Sequence, residues 1–193
     1  MPVTTLDPNT ALVVIDLQNG ITAIPGAPYP TADVISRTAE LAVAFRKRGL
    51  PVFLVRASFR ADGADRMPGR TEQPTRATGT PPADADQIVP QLAGHPEDTV
   101  VTKRNWGAFH GTDLDVHLRR RGVTQIVLTG VATSFGVEST ARAAHEHGYH
   151  VVLATDAMTD RSAEVHANSV ERIFPRLGET ATTAEILAGL EDA

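Results

Sequence analysis

The 193 residues read as an α/β protein, a three-layer α/β/α domain on a mainly parallel, doubly wound sheet of about six strands. Three observations predict this class. Short runs rich in Val, Ile and Leu recur along the chain, apolar without strict alternation, as strands buried on both faces must be. Between them lie segments with the spacing of amphipathic helices. The two kinds of segment alternate, which calls for right-handed crossovers between parallel strands.

Taken in order, the strand-like runs are Ala11 to Ile15, Val52 to Val55, Thr99 to Val101, Ile126 to Leu128 and Val151 to Ala154, with a short sixth near Glu179 to Thr182. Val34, Thr38, Leu41, Ala42 and Phe45 share one face of a helix that ends before Gly49. Leu114 and Leu118 mark another over Asp113 to Arg121, whose basic last turn suits a helix C-terminus. The length fits one domain, 1–193, with a substantial core. Residues 61–96 break the pattern with Pro, Gly, Asp and Thr, as in MPGRTEQPTRATGTPPADADQ. They read as a long loop or lid, since strands lie on both sides.

Composition narrows the partners. The formal net charge of -5 comes without a block of like charges, which leaves no electrostatic footprint for nucleic acid or an anionic membrane and favours a small molecule. No run approaches the roughly 20 apolar residues that span a bilayer, and MPVTTLDPNTALVV lacks the pattern of a signal peptide, so a cytoplasmic location is expected. The chain has no cysteine, which excludes disulfides, thiolate metal sites and a thiol nucleophile together.

Doubly wound sheets bind ligands at the carboxyl ends of their strands, which directs attention to Asp16, Arg56, Lys103, Gly130 to Gly136 and Asp156. Asp16 follows ALVVI; alone it is equally a turn residue or a helix cap. Lys103 follows DTVVT; alone it is equally a solvated charge. If their two strands lie beside each other, the two form a charge pair at the ligand mouth. The corner TGVATSFGVEST, residues 129–140, passes from a strand into a segment where helical spacing resumes at Val137, Ala141 and Ala144. Ser134 or a neighbour would cap that helix, whose free backbone N–H groups favour an anion or a developing oxyanion. The plainer reading is a tight turn that uses Gly130 and Gly136 for backbone freedom.

Together these segments resemble the isochorismatase-like hydrolase superfamily. The similarity runs nearly end to end through ALVVIDLQNG, VVTKRNWGAFHGTDLDVHLRRRGV, TGVATSFGVESTARAAHEHGY and VVLATDAMTD, in the family's order. The resemblance implies that Asp16 is the catalytic acid/base and Lys103 the catalytic lysine. It implies that Val131 and Ala132 are joined by a cis peptide that shapes the oxyanion hole. Gly136 falls where the cysteine-hydrolase branch carries its nucleophile. Arg56-Ala-Ser-Phe-Arg60 stands where nicotinamidases carry an Asp-x-His metal element, so neither a nicotinamidase nor an ordinary cysteine amidase is expected, and no metal or cofactor.

Isochorismatases themselves lack the Cys and can carry Gly there. In them the Asp protonates a vinyl carbon and water adds to the oxocarbenium-like centre. Their corner reads Gly-Val-Tyr-Ala-His, however, where this chain has Gly130-Val-Ala-Thr-Ser134, more like a Cys-less set of hydrolase-like proteins. The expected activity is therefore cofactor-free hydrolysis of a small carboxylate-bearing molecule by Asp16 and water; the competing expectation is a ligand-binding or degenerate member that kept the pocket without turnover.

The expected pocket comprises Gln18, Arg56, Trp106, Phe109, Thr133, Ser134 and Phe135, although Trp106 and Phe109 suit a core or a subunit interface equally. Arg56, Arg60 and Arg70 are either carboxylate clamps or solvated loop charges. His166, with Glu164 and Asn168 on a helix, reads as a surface or packing residue. The resemblance also implies a homo-oligomer, dimer or tetramer.

Overall fold

The computed structural model describes residues 3–67, 69–72 and 82–192. Six parallel strands, β1 (Thr10–Ile15), β2 (Val52–Ala57), β3 (Thr99–Lys103), β4 (Gln125–Val131), β5 (His150–Thr159) and β6 (Glu179–Ala181), form one sheet in the order β3-β2-β1-β4-β5-β6. The helices are α1 (Asn19–Thr22), α2 (Thr31–Lys47), α3 (Leu114–Arg120), α4 (Glu138–Glu146), α5 (Ala163–Asn168) and α6 (Thr183–Asp192). All six expected strands are present. The helices expected over Val34 to Phe45 and Asp113 to Arg121 are α2 and α3.

Strand β1 shows why its sequence is uniformly apolar. It pairs with β2 on one side and β4 on the other, and both its faces are covered. Successive side chains of a strand point to opposite faces. Ala11, Val13 and Ile15 accordingly join one core with Leu114, Leu118, Ala141 and Ala144 of α3 and α4. Leu12 and Val14 join the other, with Leu41 and Phe45 of α2 and Ile186 and Leu190 of α6. At Gly130 the approach of β4 to β1 becomes too close for a side chain. Its φ is +114°, and a Cβ would lie 2.0 Å from the Ile15 carbonyl oxygen.

Part of the segment expected to be a lid has a fixed place. Ile88 bridges Gln18 in antiparallel fashion, and Val89 and Leu92 are buried in the α2-side core. Residues 68 and 73–81 of that segment lie outside the described residues. No described helix is long and apolar enough to cross a membrane.

Helix α2 depends on its buried stripe for attachment to the sheet. Phe45 is fully buried, whereas Val43, two positions earlier, is 47% exposed. Phe45→Ala should lower unfolding free energy by about 3–5 kcal/mol through lost contacts and an unfilled cavity. Val43→Ala should change it by less than about 0.5 kcal/mol. Denaturant unfolding of both variants measures the contrast; equal effects would mean that the helix packs on a different face.

Candidate active site

The strand order reverses between β1 and β4, which pair with each other and send their crossovers in opposite directions. The two chain ends leaving this point diverge and open a crevice. Asp16 is the first residue beyond β1, and the 132–137 corner is the first segment beyond β4. At Asp16 the chain takes φ +53°, the left-handed region that costs a non-glycine residue about 1–3 kcal/mol. Its amide donates to the Val55 carbonyl at 2.9 Å and its own carbonyl accepts from Gln18 at 2.8 Å, so backbone bonds on both sides hold the turn.

Lys103 reaches Asp16 from farther than the sequence suggests. The two parent strands are not neighbours: β2 lies between them, and Lys103 is in register with Ala57 of β2. The four-carbon stem of lysine crosses the end of that strand, and Nζ stops 2.7 Å from Asp16 Oδ2. Nζ also donates to the carbonyls of Trp106 at 2.7 Å and Asn105 at 3.2 Å, which gives each of its three N–H bonds an acceptor. The pair is nearly dry, with Asp16 6% and Lys103 2% exposed. Burial pushes the Asp16 carboxyl up to about 6, against the opposing attraction and hydrogen bond of the Lys103 ammonium. Roughly a tenth of it is then protonated at neutral pH. The second oxygen, Oδ1, is buried without a hydrogen-bond partner.

Beyond β4 the Val131–Ala132 peptide is cis, and Thr133–Val137 forms a π-helical turn that runs into α4. The expected Ser134 cap is absent: Ala132 occupies the N-cap position, and no side chain caps the turn. Ser134 is the second residue of the turn, where its amide and hydroxyl both donate to Asp160 Oδ2 at 2.8 Å. That amide is therefore taken, which narrows the set of backbone donors left for a bound anion. Thr133, fully buried, bonds His166 Nδ1 through its hydroxyl at 2.9 Å. The corner is thus held by two side chains from beyond β5, a clamp that no local sequence pattern announces. His166 is buried, and that burial lowers its pKa from the ordinary histidine value. The packing reading holds for it, the surface reading does not.

Gly136 lies against the pair. A Cβ there would come within 2.9 Å of Ile15 Cγ2, 3.2 Å of Asp16 Oδ2 and 3.3 Å of the Val131 carbonyl. Any side chain would displace Ile15 or intrude on the carboxylate. The loop after β3 is fixed to the same helix, with Thr140 Oγ1 accepting from the Ala108 amide at 3.0 Å and donating to the Gly136 carbonyl at 2.6 Å. This brings Trp106 beside Phe135, their rings edge to face at 4.9 Å.

The resulting cavity holds about 590 Å³ and contains Asp16, Lys103, Val131, Ala132, Gly136, Trp106 and Phe135. Larger hollows elsewhere, one between α2 and α6, touch none of these residues.

Five expected pocket residues do not line it. Phe109 is core, stacked on Tyr149 with ring centroids 5.9 Å apart. Arg56 turns to Thr102 Oγ1 and the Asp86 carbonyl, each at 3.3 Å. Gln18 is consumed by the Ala57 backbone and the Ala85 carbonyl, which pins the end of β2 to the 82–88 segment. Thr133 and Ser134 serve the clamp. Asp156 caps α6 through the amide and hydroxyl of Thr183. Missed from sequence were Ile21, Ile24, Asp160 and Arg161, which line the cavity. Asp160 follows a strand and was open to the strand-end rule, but the length of β5 hid it.

With that geometry in place, relatives define the class of protein. Residues 10–185 match the family described as the isochorismatase domain. The chain belongs to the isochorismatase family of hydrolases. It is 45% identical over 181 residues to the isochorismatase family protein YecD of Escherichia coli O157:H7, covering 94% of this chain and 96% of that one. It is 45% identical over 179 residues to YwoC of Bacillus subtilis, covering 92% of each. An isochorismatase family protein of Burkholderia thailandensis superposes with a TM-score of 0.91 at 50% identity, over 97% of this chain and 98% of the other.

The raised Asp16 carboxyl has a consequence for stability. In the unfolded chain it ionises near 3.8, in the folded chain near 6. Between these values the folded state binds more protons, so Asp16 withdraws stability as pH rises through the window, and the loss is complete above it. The stability of Asp16→Asn relative to wild type should therefore climb from about pH 4 to about pH 6 and then level off in denaturant titrations. A difference that is flat across this range would show that the carboxyl is not raised.

Proposed function

We propose that the protein hydrolyses a small carboxylate-bearing molecule with Asp16 as general acid and water as nucleophile. The observation that carries this reading is a buried carboxyl with one oxygen on Lys103 and the other without a partner, at the floor of a cavity beside a glycine. A raised pKa keeps a fraction of Asp16 protonated near neutrality, as proton delivery requires. In the proposed cycle Asp16 gives its proton to the substrate, water adds to the electron-deficient centre, and the proton that water sheds returns to the Asp16 carboxylate. The sum is addition of one water and cleavage of one bond.

Lys103 fixes the carboxyl and limits how far its proton affinity can rise. Gly136 stands at the position where the cysteine-hydrolase branch holds its thiol, and with no cysteine in the chain no thiol ester can form. Ser134 Oγ is committed to Asp160, which argues against a serine nucleophile. The chain is not read as a nicotinamidase or an ordinary cysteine amidase.

The test begins with a thermal-shift screen of small carboxylates, amides and ureides, with product analysis for each stabilising compound. At least one such compound should be hydrolysed. Asp16→Asn and Lys103→Ala should each lower its kcat/KM by a factor on the order of 10²–10⁴. The wild-type kcat/KM should fall about tenfold per pH unit above the Asp16 value of about 6, as the acid form is lost. Wild-type rates in both variants would overturn the mechanism. Ligands that stabilise the protein and are recovered unchanged would establish a binding protein instead.

A further inference from the structure

The cavity carries a charge pattern that the Asp16 chemistry does not use. Two cations line it, and they differ in kind. Lys103, at the floor, is matched by Asp16 and two carbonyls. Arg161, the second residue beyond β5, is exposed, and its guanidinium pairs with no carboxylate among the described residues. The adjacent Asp160 does not neutralise it through an ion pair: Asp160 Oδ2 is taken by the amide and hydroxyl of Ser134, and Oδ1 by the Arg161 amide at 2.7 Å. The walls between are mainly apolar, with Thr31 and Thr159 among them. Trp106 and Phe135, 52% and 47% exposed, are large aromatic residues left open beside the cavity. Ile21 and Ile24 add aliphatic surface.

We infer that Arg161 is a specificity-determining residue that holds the carboxylate of a monoanionic substrate with a flat unsaturated or aromatic body, oriented with its carboxylate away from Asp16 and its neutral scissile group toward it. This rests on the proposed hydrolase reading of the same cavity and adds the polarity and shape of what enters. A guanidinium accepts a carboxylate through two parallel N–H bonds, and an exposed one exchanges solvent for that contact without leaving a buried charge behind. The floor has the opposite preference. Asp16 is itself a carboxylate, and the single ammonium there is already fully bonded, so a second anionic group placed at the floor would meet a carboxylate without a free cation. A dicarboxylate is thus a poorer ligand than a monocarboxylate of the same body. The edge-to-face arrangement of Trp106 and Phe135 leaves ring surface for a planar group, and aromatic contacts of that sort add to area burial.

The experiment uses trans-cinnamate, its neutral analogue trans-cinnamamide and the dicarboxylate 4-carboxycinnamate as probes, with dissociation constants from isothermal titration on the intact chain. Cinnamate should bind wild type at least about tenfold more tightly than either of the other two, the size expected of one charge-assisted bidentate contact. Arg161→Met should remove that advantage over cinnamamide and leave cinnamamide binding unchanged, while Trp106→Ala should weaken cinnamate and cinnamamide alike. Absence of cinnamate binding to wild type at millimolar concentration, equal affinity for acid and amide, undiminished cinnamate binding in Arg161→Met, or dicarboxylate binding as tight as cinnamate would each overturn the inference. Asp16→Asn separates this from the catalytic reading, since it should retain cinnamate binding whatever its turnover. Retained binding with normal turnover in that variant would sink the acid mechanism and leave Arg161 in place.

Discussion

A carboxylate and an ammonium meet at 2.7 Å at the end of the sheet, both almost withdrawn from water. Bringing two charges out of solvent is expensive, and their attraction repays it only if the remaining polar atoms are also satisfied. For Lys103 they are, through two carbonyls of the loop that follows β3. For Asp16 they are not, since Oδ1 has no partner. Burial raises the affinity of Asp16 for a proton against the pull of Lys103, and Oδ1 is left without a donor. Much of the surrounding architecture serves to hold this unbalanced pair in place.

The supports come from several distant parts of the chain. Backbone bonds fix the left-handed turn at Asp16. Gln18 ties the end of β2, over which Lys103 must pass, to the 82–88 segment. Thr140 joins the loop that carries Trp106 to the helix that carries Gly136. Asp160 and His166 hold the corner from the far side. Side chains at the strand ends are spent on this scaffold, and such support is what holds a site's geometry to within about half an ångström. The cavity that remains has few polar groups and mostly apolar walls, as small-molecule sites generally do.

Relatives of the same family place the chain among hydrolases, and the resemblance of its four motifs already pointed there. The departure at Gly136 gains a physical meaning from the structure. A Cβ at that position meets Ile15 and the Asp16 carboxylate, so the glycine is tied to the position of that carboxylate. Arg161 shows the reverse case, a residue without a motif that acquires significance from what lies around it.

By itself the sequence determined the strands, the helices α2 and α3 and the residues at the strand ends. These follow from side-chain periodicity and from the rule that parallel sheets bind at their carboxyl edge, both of which are local or topological and survive translation into one dimension. Tertiary structure alone decided which strand-end side chains face the cavity. Asp16 and Lys103 meet across an intervening strand because a lysine stem is long enough to cross it, a distance that no sequence pattern encodes. Arg56 and Phe109 sit at equally suitable positions, yet one turns to Asp86 and the other to the core around Tyr149, because partners more than 25 residues away compete for them. Direction of a side chain is settled by whatever packs against it, and those neighbours are assembled only when the sheet closes.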